Sequence, residues 1–154
     1  MTENGIQMLK LFEALQLETY LDSDGLPTIG WGHLIRDGEN FDGPITEEQA
    51  EGIFRADLFS HERGMLSLVS VPLRPCELDA LVSFVFNTGA KQFKTSTMRK
   101  LLNDGAPSAE VADQFPRWVY SDGLRVRGLI RRRNTEAACY LGAGPGLLSA
   151  IYGA

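Results

Sequence analysis

The sequence has few of the residues that metal sites and disulfide frameworks require. Its 154 residues include two histidines and two cysteines, Cys76 and Cys139. This number excludes a zinc site built from cysteines alone, and the spacing excludes a redox Cys-x-x-Cys pair. We therefore expect two buried thiols rather than a disulfide. The composition, with 44% hydrophobic and 23% charged residues, also excludes a disordered chain and a fibre.

Long apolar runs are missing where a targeting or membrane segment would need them. The first residues show no basic region followed by an apolar run, and the apolar segment from Leu78 to Phe86 is interrupted by Asp79. A membrane span needs about 18 apolar residues in succession. We therefore expect a protein that is made without an export signal and is not inserted stably in a membrane.

Basic residues are scarce in the first part of the chain. Residues 1–90 contain five Lys or Arg and fifteen Asp or Glu, whereas residues 91–154 contain ten and five. The net charge of −5 therefore combines −10 in the first part with +5 in the second. A basic region of this kind suits the binding of an anionic polymer. Charge alone leaves open whether that polymer is a nucleic acid or an anionic glycan.

Hydrophobic spacing and turn residues predict mostly helices with one early β-hairpin. A first helix is expected from an N-cap at Thr2 to about Leu15, and a capping box at residues 46–49 starts a long helix that continues to about Ser70. Further helices are expected at residues 76–86, 97–103, 108–114 and 129–141, and a hairpin between residues 19 and 34. This combination predicts a single α+β domain that is mainly helical.

Three polar residues in the first 30 are of the types that glycoside hydrolysis needs. Glu13 is expected at the end of the first helix, Asp22 at the end of the first strand and Thr28 in the second strand. A protonated carboxyl group and an ionised one, kept apart by their surroundings, form the catalytic pair of a glycosidase. Taken alone, a Glu and an Asp are more simply interpreted as solvated surface charges.

The hairpin turn decides whether Asp22 and Thr28 share a face of the sheet. A two-residue loop would pair Asp22 with Pro27 and separate the two side chains. A three-residue loop pairs Asp22 with Leu26, and it places Asp22 and Thr28 on one face. Catalysis requires the second arrangement, so we expect Gly25 at positive φ in a three-residue loop with a G1-type bulge.

The residues around these three follow a pattern with fixed spacing. Eight residues separate Glu13 from Asp22, five separate Asp22 from Thr28, and Ile29-Gly30-Trp31-Gly32-His33 follows. This pattern resembles the phage-type lysozymes, the endolysins of glycoside hydrolase family 24. Later segments are similar to the same family: Ser83-Phe84-Val85-Phe86-Asn87-x-Gly89, Phe93-x-x-Ser96-Thr97, Trp118-x-Tyr120 and Gly128-Leu129-Ile130-x-Arg132-Arg133-x-x-Glu136.

The resemblance implies a lysozyme-like α+β fold with a cleft between two lobes. The hairpin-containing lobe is expected at about residues 13–60, and the helical lobe at about residues 65–154 together with 1–12. The implied activity is hydrolysis of the β-1,4 bond between N-acetylmuramic acid and N-acetylglucosamine in bacterial peptidoglycan, during phage-induced lysis of the host. No metal or organic cofactor is expected.

The resemblance also assigns roles to the three polar residues. Glu13 would be the general acid that protonates the leaving oxygen, Asp22 the carboxylate across the cleft, and Thr28 a hydroxyl that places water or substrate. A threonine beside the carboxylate has a purpose when a water molecule attacks the sugar, which inverts its anomeric configuration. We therefore predict an inverting N-acetylmuramidase.

The resemblance implies partners and a location as well. The enzyme is expected to be made in the host cytoplasm, to reach the cell wall with the help of a holin, to act as a monomer and to bind no nucleic acid. One alternative is a lysozyme carried in the virion and used during infection. Another is a catalytically inactive wall-binding module, which predicts the loss of Glu13, Asp22 or Thr28, yet all three are present.

Other residues have two interpretations each. Asn87 could bind an acetamido group of the substrate or cap a helix, and Trp31 could stack on a sugar or pack in the core. Trp118 is more simply a core residue, and His33 is expected to be a structural imidazole paired with an acid that the sequence does not identify. Arg131-Arg132-Arg133 cannot form one flat face on a helix, and with Glu136 it is expected to form a solvated helix face.

Overall fold

The computed structural model describes residues 1–144, and the fold over these residues is α+β and mainly helical, as predicted. In chain order the elements are α1 (Glu3–Lys10), β1 (Gln16–Leu21), β2 (Pro27–Gly30), β3 (His33–Leu34), α2 (Glu47–Leu66), α3 (Pro75–Thr88), α4 (Ala90–Thr95), α5 (Thr97–Asn103), α6 (Ser108–Ala112), a 3₁₀ helix (Phe115–Arg117), β4 (Tyr120–Ser121), β5 (Leu124–Arg125) and α7 (Arg127–Tyr140). The chain forms two compact units. One comprises Glu13–Ser60, and the other comprises Met1–Phe12 with the described residues from His61 onwards.

The unit formed by Glu13–Ser60, called the hairpin unit below, is built on an antiparallel sheet in the order β1-β2-β3. Alternation along β2 turns Ile29 inwards, where it is fully buried with Ile45 and Ala50. Leu15, Leu17, Trp31, Ile35, Phe41 and Ile53 pack around these three residues. A small core of this kind fixes the sheet on which the candidate catalytic residues lie.

The other unit, called the helical unit, is organised around α3. This helix packs against α7 and α1, and its residues 80–85 are all buried. Phe84 lies at the centre of an aromatic cluster, with Phe93, Phe115 and Trp118 edge-on at centroid distances of 6.4, 5.6 and 5.3 Å. Trp118 is therefore a core residue, as predicted.

Capping residues fix the helix starts as the sequence predicted. Thr2 caps α1 by accepting a hydrogen bond from the Gly5 N–H at 3.2 Å. Thr46 and Gln49 bond each other's main-chain N–H groups at 3.1 and 2.8 Å, which completes the capping box before α2. Helix α5 also has the predicted bounds.

Several short elements of residues 1–144 are not among the sequence predictions. Helix α4 follows directly after Gly89, and β4 and β5 form an exposed hairpin around Asp122-Gly123. Both residues of this turn have positive φ, 49° and 77°. Asp-Gly is a known hairpin signal, but the strands on its two sides have only two residues each, too few to show a strand period in the sequence. Among residues 1–144, no helix is long and apolar enough to cross a membrane.

Candidate active site

The hairpin turn between β1 and β2 has the three-residue geometry that the sequence predicted. Tyr20 pairs with Thr28 and Leu21 with Pro27. The Asp22 N–H donates to the Leu26 carbonyl at 3.0 Å, and the Gly25 N–H donates to the Asp22 carbonyl at 3.0 Å. Gly25 has a φ of 77°, a value that glycine adopts without strain. Asp22 and Thr28 are therefore on the same face of the hairpin.

One residue, Leu26, connects the side chains of Asp22 and Thr28 through its main-chain N–H and its carbonyl group. The Leu26 N–H donates to Asp22 Oδ1 at 2.9 Å, and the Asp24 N–H donates to the same oxygen at 2.9 Å. The hydroxyl of Thr28 donates its proton to the Leu26 carbonyl at 3.0 Å. Thr28 is buried and Asp22 half-buried. Main-chain bonds thus hold a carboxylate and a hydroxyl oxygen in fixed orientations at one turn.

Glu13 does not end the first helix, so that prediction is wrong. Helix α1 ends at Lys10, and the N–H groups of Leu11 and Phe12 close its last turn on Met8 and Leu9. Glu13 follows in an irregular segment and is the first residue of the hairpin unit. The reason is local: the apolar spacing continues to Phe12, but helical hydrogen bonding stops earlier.

The carboxyl group of Glu13 lies beside Gly32. Its Oε2 atom is 3.6 Å from the position that a Cβ atom on Gly32 would occupy, and Gly32 has a φ of +83°. Glycine at this position permits the backbone conformation and places no side chain against the carboxyl group. The second glycine of the Ile-Gly-x-Gly-His segment therefore lies beside the candidate acid.

Tyr20, which pairs with Thr28 across the hairpin, is a further member of the site that the sequence did not identify. Burial raises the pKa of its hydroxyl, and the negative charges of Glu13 and Asp22 raise it further. The hydroxyl thus remains a proton donor close to both carboxylates. Its position two residues before Asp22 and opposite Thr28 was the signal that could have identified it.

His33 is a structural imidazole paired with acids, as predicted. Its Nδ1 lies 2.7 Å from Asp57 Oδ2, and its Nε2 lies 3.0 Å from Glu39 Oε2. The N–H of Arg36 also bonds Glu39, and this bond, followed by the bond to His33, lowers the pKa of Glu39. Because both ring nitrogens already have carboxylate partners, neither is available as a catalytic base.

Trp31 and Asn87, the two predicted substrate-binding residues, lie in different units. Trp31 is half-buried and packs on the core of the hairpin unit, with its ring centroid 5.8 Å from that of Phe54. Asn87 is exposed in the last turn of α3, where its Oδ1 accepts a hydrogen bond from Arg133. Asn87 is not the C-cap of the helix, a position that Gly89 takes.

The prediction of a solvated face around Arg132 and Glu136 is wrong. Glu136 and Arg133 are 0% exposed and Arg132 is 4% exposed. The carboxylate of Glu136 accepts hydrogen bonds from Ser83 Oγ at 2.7 Å, from Arg132 Nε at 3.1 Å and from Arg133 Nη1 at 2.6 Å. Burial raises the pKa of Glu136, and the two guanidinium groups oppose this shift. Packing of α7 against α3 buries the cluster, which spacing within one helix cannot indicate.

Arginine side chains of this cluster also contact aromatic rings. The guanidinium of Arg132 lies 5.3 Å from the ring centroid of Phe12, and that of Arg133 lies 4.8 Å from that of Phe84. Of the three consecutive arginines, only Arg131 is exposed, so they form no common basic face, as predicted. Within residues 1–144, no group of three or more His, Cys, Asp or Glu side chains is arranged to hold a metal ion.

Comparison with known proteins identifies the family. The phage lysozyme family model matches residues 10–136. The chain is 38% identical over 143 residues to the endolysin of Salmonella phage P22, and this alignment covers 91% of this chain and 97% of that protein. It is 36% identical over 146 residues to the endolysin of Bacillus phage PZA, and this alignment spans 94% of the chain but 56% of that relative. The solved muramidase domain of SpmX from Asticaccaulis excentricus has a TM-score of 0.82 at 31% identity, covering 92% of this chain and 97% of that one. The chain therefore belongs to the phage lysozyme family and has its lysozyme-like α+β fold.

Proposed function

We propose that the protein is an endolysin muramidase, which hydrolyses the β-1,4 bond between N-acetylmuramic acid and N-acetylglucosamine of bacterial peptidoglycan during phage-induced host lysis. Family membership supports this proposal, and so do the names endolysin and muramidase that its relatives carry. The observation that carries it is the hairpin turn in which the main-chain N–H of Leu26 donates to Asp22 and the carbonyl of Leu26 accepts from Thr28. A carboxylate and a hydroxyl held at one point are suited to activating water.

In this proposal, Glu13 is the general acid. The leaving glycosidic oxygen becomes an alkoxide unless it receives a proton as the bond breaks, and a carboxylic acid within reach can supply that proton. Gly32 places no side chain against the carboxyl group of Glu13. We place the scissile bond on this side of the carboxyl group.

Asp22 and Thr28 position the attacking water in the proposed mechanism. Asp22 Oδ1 already accepts two N–H groups, so we assign the proton of the water to Oδ2. The hydroxyl of Thr28 gives its only proton to the Leu26 carbonyl, and its oxygen can therefore only accept. A water that donates one hydrogen to each residue directs a lone pair at the anomeric carbon.

Attack by a water positioned in this way inverts the sugar. The water approaches the face opposite the bond that Glu13 protonates, so a β-linked strand gives an α-configured product. The proton that the water loses goes to Asp22, and the one that the leaving oxygen gains comes from Glu13. The reaction therefore needs no covalent intermediate and no cofactor.

The anomeric form of the first product tests this mechanism. Purified peptidoglycan is digested in an NMR tube, and the new reducing-end signals are followed before mutarotation equilibrates them. We expect the α-anomer to accumulate first. Early accumulation of the β-anomer would contradict the water-positioning role of Thr28, and a 1,6-anhydro product would contradict hydrolysis itself. Glu13→Gln, which cannot donate the proton, is the control for background cleavage.

Trp31 and Asn87 are proposed substrate-binding residues. Trp31 is only partly buried beside the core of the hairpin unit, so the indole has a surface for a sugar ring. The Oδ1 atom of Asn87 is bonded to Arg133, which leaves the amide N–H₂ group to donate to an acetamido carbonyl. Replacing either residue with alanine should raise KM several-fold and change kcat less, measured with solubilised peptidoglycan.

The same proposal covers how the protein reaches the cell wall, its oligomeric state and its lack of affinity for nucleic acid. We expect a cytoplasmically made monomer that requires a holin and has no affinity for nucleic acid. Expression with and without a holin tests access, since only co-expression should lyse the cells. Light scattering after gel filtration measures the mass, and retention on a DNA column tests nucleic-acid binding.

A further inference from the structure

The two cysteines meet at the ends of two helices in the helical unit. Cys76 lies in the first turn of α3 and Cys139 in the last turn of α7. The Sγ atom of Cys139 is 3.5 Å from the carbonyl oxygen of Cys76, and the Sγ atom of Cys76 is 3.9 Å from the carbonyl oxygen of Tyr140. Each thiol thus contacts the main chain next to the other. These two contacts bring both thiols to the same place between the helix ends, which is the first requirement for a disulfide between them.

Both thiols also line the same pocket, of about 230 Å³. The wall of this pocket includes Met8 and Pro75, and its other side is open. A thiol packed on all sides by apolar groups cannot rotate or meet a reagent. Here the pocket gives each Sγ atom space to turn towards the other, and it gives a thiol reagent a way in.

We propose that Cys76 and Cys139 are an oxidative modification site at which a protein or small-molecule disulfide joins the two thiols in an intramolecular disulfide. The Cys76 thiolate attacks one sulfur of the external disulfide, forms a mixed disulfide and releases one thiolate. The Cys139 thiolate then attacks Cys76 Sγ, forms the internal bond and releases the second thiolate. The two cysteines lose two protons and two electrons, and the external disulfide becomes two thiols.

Exposure determines the order of the two steps. Cys76 is half-buried, whereas Cys139 is 6% exposed. Burial, followed by the negative charges of Asp79 and Cys76 nearby, raises the pKa of the Cys139 thiol to about 12. Cys139 is therefore a poor first nucleophile, but it is next to the sulfur that it must attack in the second step. Cys76 is the residue that meets the oxidant.

The disulfide would connect residues 63 positions apart in the chain. It ties the start of α3 to the end of α7, two helices that already pack together, and it restricts the unfolded chain more than the folded one. Only the cellular setting of this chemistry, an oxidising compartment outside the cytoplasmic membrane, rests on the proposed function. The bond itself requires no catalytic activity.

Oxidised glutathione is the reagent for the test. The reduced full-length protein is incubated with it under native conditions and then examined by thiol titration, intact mass and peptide mapping. We expect two free thiols to fall to none, the mass to decrease by two hydrogen atoms, and one peptide to contain Cys76 bonded to Cys139. The Tm should rise by about 5–10 °C and return to its starting value with dithiothreitol.

Single substitutions separate the two steps. Cys139→Ser should keep a stable glutathione adduct on Cys76, whereas Cys76→Ser should remain unmodified, and neither should show the rise in Tm. Peptide mapping of the unchanged chain gives an answer even where a variant folds poorly. Four results would each overturn the proposal: lasting glutathione adducts on the unchanged chain, covalent dimers, unreacted thiols, or a Cys76–Cys139 bond that forms only in denaturant. None of these readouts depends on cleavage of the cell wall. Failure of the disulfide to form would therefore leave the proposed function unaffected, and absence of muramidase activity would leave the disulfide proposal unaffected.

Discussion

The two units hold their carboxylates in opposite ways. In the hairpin unit, Asp22 is half-buried, and main-chain N–H groups fix it through one oxygen. In the helical unit, Glu136 is fully buried, and one serine and two arginines occupy its oxygens. A carboxylate that the main chain holds through one oxygen can use its other oxygen in a reaction. A carboxylate whose two oxygens both accept hydrogen bonds from buried side chains stabilises the fold instead. The comparison predicts that removal of the first kind affects activity and that removal of the second affects stability.

The largest expected effect tests the catalytic side of this comparison. Glu13→Gln keeps the shape of the side chain but removes the proton that the leaving oxygen needs. We expect kcat for peptidoglycan cleavage to fall by about 10²–10⁴-fold, with the free energy of unfolding changed by less than about 0.5 kcal/mol. Turbidity clearing and urea unfolding measure the two quantities. The matched control is Glu18→Gln, an exposed residue of β1, and cleavage by the Glu13 variant at a tenth of the parent rate would remove Glu13 from its proposed role.

The structural side is tested by Glu136→Gln. This change leaves the guanidinium groups of Arg132 and Arg133 buried without their negative partner. Breaking a buried pair by removing one member costs about 3–5 kcal/mol, so we expect the urea midpoint to fall sharply. Activity per folded molecule should change little. Glu110→Gln, on an exposed position of α6, is the control, and equal stability of the two variants would show that the cluster is not structural.

The same contrast explains what could be predicted from the sequence. The hairpin follows local rules: its loop length and Gly25 determine which residues face each other, so the shared face of Asp22 and Thr28 was predictable. The family pattern could mark Glu13 as a candidate, but the end of α1 was placed too late because apolar spacing does not report where helical hydrogen bonds stop.

Tertiary burial could not be predicted in the same way. On the sequence, Arg132 and Glu136 are an ordinary exposed pair one helical turn apart, and only the packing of α7 against α3 encloses them. The partners of His33 were unidentified for the same reason, because Asp57 is 24 positions away on another element. Local geometry is encoded in a few neighbouring residues, whereas burial is determined by the whole unit.

Two glycines sharpen the catalytic half of the comparison. Gly25 and Gly32 both have positive φ, 77° and 83°, so alanine at either position should cost roughly 1–2 kcal/mol in backbone strain. A Cβ atom at Gly25 meets nothing within 4 Å, whereas one at Gly32 lies 3.6 Å from Glu13 Oε2. We expect similar losses of unfolding free energy but a several-fold larger loss of kcat for Gly32→Ala. Equal activities of the two variants would show that the side of Glu13 that faces Gly32 is not used in catalysis.

The smallest expected effect concerns Glu77, whose position lies between these two extremes. It is 7% exposed at the start of α3, and it accepts hydrogen bonds from the main chain and the guanidinium of Arg74 at 2.8 and 2.9 Å. Burial by itself would raise the pKa of Glu77, but the bonds to Arg74 outweigh it and leave the pKa below its usual value.

A carboxyl group whose pKa is lowered in the folded state stabilises that state at pH values above its unfolded pKa, which is about 4.3. It loses this contribution as the pH falls through the lower folded pKa. Because the Arg74 side chain is exposed, solvent screens the pair and the coupling at pH 7 should be small. A double-mutant cycle with Glu77→Gln and Arg74→Gln, measured by urea unfolding from pH 7 to pH 3, should show this coupling shrinking with acid, and a coupling that grew as the pH fell would mean that the pKa is raised instead.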